Sequence, residues 1–365
     1  MLKTGIAELK LCRGHIPHYK EMVKLAAPIL AFAIEELGTE ELLRRFSDPL
    51  WYQCYACLLG FEWNYCGATT VVLKATKESL EQANLPLKIA GGKGELSRKT
   101  PKEIVSISDD FNLSQKRIDS ITYASKLSPK VDSSCIQDGY QLYFHATILD
   151  DKGNWSIINQ GMNQCVKMTR RYHWLSGLKD FVEEPHTSIV GKNEDVVLNL
   201  TSKQSRENRK TIVDIVQENS PKKIEQMVYT IDRRFGQKKI ADFFPGAKVV
   251  KVPDNLKIPR QIAKKALERA REVSRFEELL TTPGIGPATV RGLSYIADLV
   301  YGSKAEWKDP ISFTYAYGTK ASVPYFVKKK EMVKSAEFLK QAVEEAKIGN
   351  REKIKALKRL ERFVN

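Results

Sequence analysis

No apolar run in this sequence is long enough to cross a bilayer; the longest, Leu25 to Ile34, has the length of a core helix. Met1-Leu2-Lys3-Thr4 leads into mixed sequence without an apolar leader or a cleavage signature, which predicts a cytoplasmic protein. Cysteine is missing after Cys165 and histidine after His186. The second half therefore lacks the side chains that most often ligate metals or exchange protons near neutral pH. All six cysteines lie between Cys12 and Cys165, and in a reducing compartment they are expected as free thiols rather than as a disulfide framework. There is no Walker spacing, no Gly-x-Ser-x-Gly and no His-Glu-x-x-His, so nucleotide triphosphatase, nucleophile-elbow and zincin chemistry are unsupported.

Negative charge is scarce in the second half. Residues 190–365 hold 36 Lys/Arg against 22 Asp/Glu, a net of +14, whereas residues 1–189 hold 23 against 22, a net of +1. A field so concentrated attracts polyanions. No helix pairs bulky aromatics on one face with lysines on the other, so a membrane surface is disfavoured and nucleic acid is the expected partner. At 365 residues two domains are expected. The polar stretch 190–210 is the natural boundary, between an α/β (α+β) catalytic domain at 1–195 and an all-α basic DNA-binding domain at 205–365.

Apolar spacing predicts helices at 18–46, broken at Gly38, and at 69–83, with another opened by Asp48-Pro49 and ended at Gly60. Strands are expected at 130–135, 140–149 and 154–160, the last two joined by the turn Asp150-Asp151-Lys152-Gly153, and a helix at 166–182. Beyond the boundary helices are expected at 204–217, 221–235, 259–281, 287–301 and 331–363, with extended pieces near 247–252 and 323–327. Cys54 and Cys57 have zinc-like spacing but sit in an apolar helix with Trp51 and Leu58, and read as core.

The segment from Phe276 to Arg291 carries Thr282-Pro283-Gly284-Ile285-Gly286 between two helices, which is similar to the helix-hairpin-helix of DNA repair proteins. Glycines permit positive φ and close approach of a phosphate, Ile285 plugs the core, and amides at the start of the second helix point at the anion. Thr289 and Arg291 are expected as additional donors. Contacts of this kind reach the backbone rather than base edges, so single- or double-stranded DNA would bind without sequence preference. Ala90-Gly91-Gly92-Lys93-Gly94 with Ser97-Arg98-Lys99 reads as a second phosphate-gripping loop, with Lys93, Arg98 and Lys99 as its cations. Thr100, Pro101 and Glu103 behind it read as a capping box.

Candidate chemistry gathers in the first half. Asp132, Asp138, Glu184 and His186 are the residue types that hold Mg²⁺ or Mn²⁺, which would stabilise the charge of a phosphodiester under attack and lower the pKa of the attacking water. Arg170, Arg171 or Lys130 would neutralise the scissile phosphate, and His145 and His173 would serve as ligand or general acid.

The chain as a whole resembles a family of archaea and thermophilic bacteria known as domain of unknown function 763. The resemblance is carried by Thr4-Gly5-Ile6-Ala7, Ala90-Gly91-Gly92-Lys93-Gly94, Ser97-Arg98-Lys99-Thr100-Pro101 and Lys130-Val131-Asp132-Ser133. Gln137-Asp138-Gly139-Tyr140-Gln141-Leu142-Tyr143, Gln160-Gly161-Met162-Asn163, Arg171-Tyr172-His173-Trp174-Leu175, Glu184-Pro185-His186 and Pro283-Gly284-Ile285-Gly286 extend it over most of the length. Leu9-Lys10-Leu11-Cys12-Arg13-Gly14 departs from the more typical Leu-Pro-Leu-His-Gly-Gly, and no site role is expected there. The resemblance implies no mechanism.

The expected function is a metal-dependent DNA nuclease of repair or recombination, with repair proteins and a second copy of the chain as candidate partners. The alternative is a non-catalytic DNA-binding or scaffold protein. A DNA glycosylase is a third reading, since Asp309 follows the hairpin, although Lys308-Asp309-Pro310 looks more like a helix start.

Overall fold

The computed structural model describes residues 9–10, 19–61, 66–235, 253–311, 329–345, 349–350 and 353–358. In chain order the elements are β1 (Leu9–Lys10), α1 (Tyr19–Ser47), α2 (Pro49–Leu59), α3 (Gly67–Ala83), β2 (Leu87–Lys93), α4 (Glu95–Asp110) and α5 (Gln115–Ser134). Then follow β3 (Ile136–Gln137), β4 (Gln141–Asp150), β5 (Trp155–Asn163), β6 (Met168–Leu175), β7 (Ser188–Val190) and β8 (Leu198–Asn199). The last are α6 (Arg206–Glu218), α7 (Pro221–Phe235), α8 (Lys264–Arg269), α9 (Phe276–Thr281), α10 (Pro287–Leu299) and α11 (Lys329–Glu345).

The fold is mixed α/β around an antiparallel sheet in the order β1-β6-β5-β4-β2, with β7 also paired to β6; β3 and β8 form a separate two-stranded ladder. Because side chains alternate across a strand, successive residues serve opposite faces. Phe144, Ala146, Ile148 and Ile158 join Leu30, Phe46 and Leu73 of α1 and α3 in one core. Leu149, Ile157, Tyr172 and Trp174 join Ile121, Leu127 and Val131 of α5 in the other, which continues without a break through Ile212, Val228, Leu279, Val290 and Ile296. Elements on both sides of residues 195–205 thus share apolar packing, and Gln137 pairs with Leu198 across that stretch.

Several local expectations hold for the reasons that motivated them. Asp48 accepts the amides of Leu50 and Trp51 at the start of α2, Pro49 occupies the first turn, and Gly60 ends the helix in the left-handed region. Gly38, at φ 77, breaks the helical backbone inside α1. Gly153, at φ +80, closes the β4–β5 hairpin, with the Asp150 carboxylate accepting the amides of Lys152 and Asn154. Cys54 and Cys57 are buried and neither is in a disulfide.

Other expectations are corrected. Residues 130–135 are not a strand but the last turn of α5 and its cap, because Ile118, Ile121, Ser125, Ser128 and Asp132 bury one face at three-to-four spacing. The segment 166–182 is not a helix; it supplies β6, which lies between β5 and β1 and is buried from Thr169 to Trp174. A strand covered on both faces loses the alternation that would reveal it. The expected phosphate-gripping loop is β2, paired along its length with β4. A Cβ on Gly91 would lie 2.4 Å from the His145 carbonyl and 2.6 Å from Thr100 Oγ1, so that glycine serves close packing of α4 on the sheet. The capping box is displaced too: α4 starts at Glu95, Thr100 bonds back to the Ser97 carbonyl, and Glu103 accepts from the Gly91 amide and Lys77. The expected single helix at 259–281 is two short ones, α8 and α9. The extended pieces near 247–252 and 323–327 lie outside the described residues.

Candidate functional site

A chain of hydrogen bonds runs through the core between the sheet and α5. Ser125 Oγ lies 2.7 Å from His145 Nε2, and His145 Nδ1 lies 2.6 Å from Asn159 Oδ1. Asn159 Nδ2 donates to Asp132 Oδ2 at 2.6 Å, Trp174 Nε1 donates to the same oxygen at 3.3 Å, and His186 Nε2 reaches Asp132 Oδ1 at 2.5 Å. The register explains part of the assembly: His145 stands directly opposite Asn159 on the β4–β5 ladder. Ser125 and Asp132 lie seven residues apart on α5, two turns along one helix face.

The direction of every proton follows from Asp132. An ionised carboxylate only accepts, so it takes the Asn159 NH₂ and turns the amide oxygen toward His145. That oxygen requires a proton on Nδ1, which leaves Nε2 with its lone pair facing the Ser125 hydroxyl. Burial pushes the His145 pKa down and keeps the ring neutral, against smaller upward contributions from Asn159 and the Asp132 charge. At the Ser125 end the chain opens on a cleft of about 360 Å³ between α4, α5 and β4, lined by Arg98, Lys126, Pro129, Tyr143 and Phe144 as well as Ser125 and His145.

The remaining candidates of the first half lie elsewhere. Asp138 is buried, and accepts from Arg170 Nη1 at 2.8 Å, from the Tyr172 hydroxyl at 2.6 Å and from the Tyr140 amide. Arg170 in turn pairs with Asp309, which also takes the Glu194 amide. Burial raises the Asp138 carboxyl to about 6, opposed by the Arg170 charge. Asp309 is therefore an ion-pair partner in the core. Arg171 and His173 project to the opposite face of β6: Arg171 Nε donates to His173 Nε2 at 2.8 Å, its guanidinium lies 4.3 Å over the Tyr52 ring, and both residues are fully buried. Neither faces a phosphate in solution. Glu184 is exposed and pairs with Lys203. Among the described residues, no three of the His, Cys, Asp and Glu side chains form a metal-binding group: Asp132 and His186 meet, while Asp138 and Glu184 have separate partners.

Lys130 belongs to a different locus, since its Nζ donates to the Ile285 carbonyl at 3.2 Å. There the chain turns from α9 into α10. Gly284 is exposed at φ +94, a conformation that favours glycine, whereas Gly286 is extended at φ −142 and needs no glycine for its backbone. Ile285 is 2 % exposed and fills the core as expected. Among the described residues the amides of Gly286, Ala288 and Thr289 have no protein acceptor, and Pro283, Gly284, Pro287 and Ala288 are exposed. The two expected side-chain donors are turned inward instead. Thr289 Oγ1 accepts the Ala263 amide, and Arg291 bonds the Lys257 carbonyl and Gln137 Oε1. A second cation beside the turn is Arg269, whose Nη2 donates to the Pro283 carbonyl at 2.7 Å.

Ser125, Asn159 and Arg269 were missed by sequence reasoning. Asn159 could have been found by counting outward from the Asp150–Gly153 turn, which sets His145 opposite it. Lys93 is exposed with its ammonium 5.8 Å over the Tyr143 ring, and Lys99 is exposed on α4.

In class, then, this is a mixed α/β protein built on an antiparallel sheet, with a glycine-bracketed helix turn on its surface. The chain belongs to the family described as protein of unknown function DUF763, whose profile matches residues 5–327. No curated protein and no solved structure matches it.

Proposed function

We propose that this chain binds DNA through the sugar-phosphate backbone, using the turn from Thr282 to Thr289 as a helix-hairpin-helix. The observation that carries the reading is the exposed start of α10, where three amides without acceptors among the described residues sit at the positive end of a 13-residue helix. Arg269 and Lys130 add charge at the turn, and the half of the chain from residue 190 on supplies a net +14. Contacts of this kind position a protein on either strand form without reading bases.

The test is fluorescence anisotropy of the full chain with labelled single- and double-stranded DNA over a salt series. Affinity should fall linearly with salt on logarithmic axes and should not depend on sequence. Gly286→Glu is the informative variant, because a Cβ there meets nothing within 4 Å and the backbone is ordinary. A carboxylate at the anion position should weaken binding by roughly tenfold or more, about 1.4 kcal/mol. Unchanged affinity in a folded Gly286→Glu protein would remove the turn from the interface.

Cleavage of the bound DNA with Mg²⁺ or Mn²⁺, in repair or recombination, is the second reading. It is favoured by the connection of Asp132 through Asn159 to His145, beside a cleft lined by Arg98. The residues present do not fit the cation as a ligand set. The Asp132 oxygens accept from His186, Asn159 and Trp174, those of Asp138 from Arg170, Tyr172 and the Tyr140 amide, and Glu184 pairs with Lys203. Labelled DNA incubated with Mg²⁺, Mn²⁺ or EDTA separates the two readings: cleavage abolished by EDTA supports the nuclease, and binding without cleavage under any condition leaves DNA binding alone.

A further inference from the structure

We infer that Ser125 is a nucleophile and that Ser125, His145 and Asn159 form a hydrolytic triad acting on phosphate esters bound in the cleft between α4, α5 and β4. The inference stands apart from the DNA-binding reading, since the cleft and the hairpin use different residues; it shares the cleft with the nuclease reading, from which activity in EDTA separates it.

Three features make the arrangement chemical rather than only cohesive. The first is polarity. Asp132 fixes Asn159, Asn159 fixes the proton of His145 on Nδ1, and the free lone pair of Nε2 meets the Ser125 hydroxyl at 2.7 Å. Nucleophile, base and orienting group are thus connected in the order that activates a hydroxyl. The second is access: Ser125 and His145 are the point where this buried chain reaches the wall of a cavity of about 360 Å³. The third is an alternative left unused. A serine inside a helix commonly bonds back to the carbonyl one turn earlier, yet Ser125 Oγ turns to the imidazole.

The substrate class follows from the charge-stabilising groups at hand. Attack on a carbonyl needs a pair of free donors, usually backbone amides, beside the nucleophile. Ser125 lies inside α5, where the neighbouring amides are consumed by the helix ladder. What the cleft offers instead is the cations of Arg98 and Lys126, suited to the charge spread over the oxygens of a transferring phosphoryl group. Leu142, Tyr143, Phe144 and the two prolines give the same cleft an apolar wall for the organic part of the ester.

In the first half-reaction Ser125 Oγ attacks phosphorus as its proton passes to His145 Nε2. The bond from phosphorus to the leaving oxygen breaks, and the imidazolium returns the proton to that oxygen. In the second half-reaction water attacks the phosphoserine, His145 takes a proton from the water, the bond from Oγ to phosphorus breaks, and the proton goes back to Oγ. No oxidant or further co-reactant is consumed. Asn159 and Asp132 are positioning residues, acting through His145.

The experiment is labelling of the full-length chain with a fluorophosphonate, a phosphorus electrophile that needs no knowledge of the natural substrate, read by intact mass and peptide mapping. One stoichiometric adduct on Ser125 is expected, absent from Ser125→Ala. The labelling rate should fall as pH drops and His145 becomes protonated. His145→Gln should slow labelling by roughly a hundredfold, the size of a general-base contribution. Ser125→Ala removes one oxygen and keeps the fold testable if His145→Gln does not fold. No adduct on the wild-type chain, or an adduct that persists unchanged in Ser125→Ala, overturns the inference. In a second arm, bis(p-nitrophenyl) phosphate and p-nitrophenyl phosphate are offered in the presence of EDTA. Turnover lost in Ser125→Ala supports the triad, and turnover unaffected by that change counts against it.

Discussion

The two faces of β6 make an instructive pair. Arg170, Tyr172 and Trp174 look toward α5 and the helices that follow, where Asp138, Asp309 and Asp132 take their polar atoms. Arg171 and His173 look the other way, toward Phe46, Gln53, Tyr52 and Thr69 of the first three helices. Five consecutive residues of one strand, Arg171 and His173 among them as catalytic candidates, are thus divided between two cores. The first of those cores contains a polar chain that reaches a cleft. Residue type alone therefore says little about function here; the side of the strand on which it falls says more.

The comparison breaks most visibly at Arg170. Replacing it with alanine leaves Asp138 and Asp309 buried without their cation, which should cost about 3–5 kcal/mol in a urea unfolding series. A loss below about 1 kcal/mol would mean that this face is not held by its ion pairs.

Next in size is the acid response of the two buried histidines. Burial lowers the pKa of His145, and burial together with the Arg171 charge lowers that of His173 well below the ordinary value of 6.5. Each is neutral in the folded chain while its unfolded counterpart gains a proton, so the stability each contributes is present above pH 6.5 and is lost as pH falls toward the folded pKa. Unfolding midpoints measured from pH 7.5 to 5 should decline for the wild-type chain. The decline should be flatter in His173→Gln than in His145→Gln, because the larger shift lies on the sealed face. Equal slopes in the two variants would erase the distinction.

The smallest net effect concerns Asp138, whose shift has the opposite sign. Its folded pKa, raised from 3.8 to about 6, means that the folded chain binds the proton more tightly. That contribution is complete below pH 3.8 and disappears as pH rises through about 6. Asp138→Asn should therefore steepen the acid-side loss between pH 4 and 6, since the countervailing term is gone. A profile parallel to the wild type would show that Asp138 stays ionised throughout.

Much of the local structure was legible, and the failures have physical causes. The Asp48-Pro49 start, the Gly60 stop and the Asp150–Gly153 turn depend on a few adjacent residues, and all three appear as expected. The register of the β4–β5 hairpin was implicit in that turn, and with it the contact of His145 with Asn159. By contrast β6 carries arginines and a histidine on surfaces that are both buried, so its pattern contradicts the rule used to find strands. The end of α5, with Ser, Pro and Asp in place of strong helix formers, is helical because its inward face packs against Asn159, Trp174 and His145. Gly91 and Gly92 resemble a phosphate loop in isolation, but a helix pressed against the strand accounts for Gly91.

By itself the sequence determined the charge division, the helix caps, the hairpin turn, the glycine turn at 282–286 and the absence of a membrane-crossing helix among the described residues. Each of these depends on composition or on residues a few positions apart. Tertiary structure alone decided that Asp132 meets Asn159 and His186, that Asp138 is committed to Arg170, that Lys130 reaches the hairpin and that Arg171 is sealed away. Those contacts join residues tens to more than a hundred positions apart, and packing selects them because a buried polar group left without a partner costs more than almost any local preference can return.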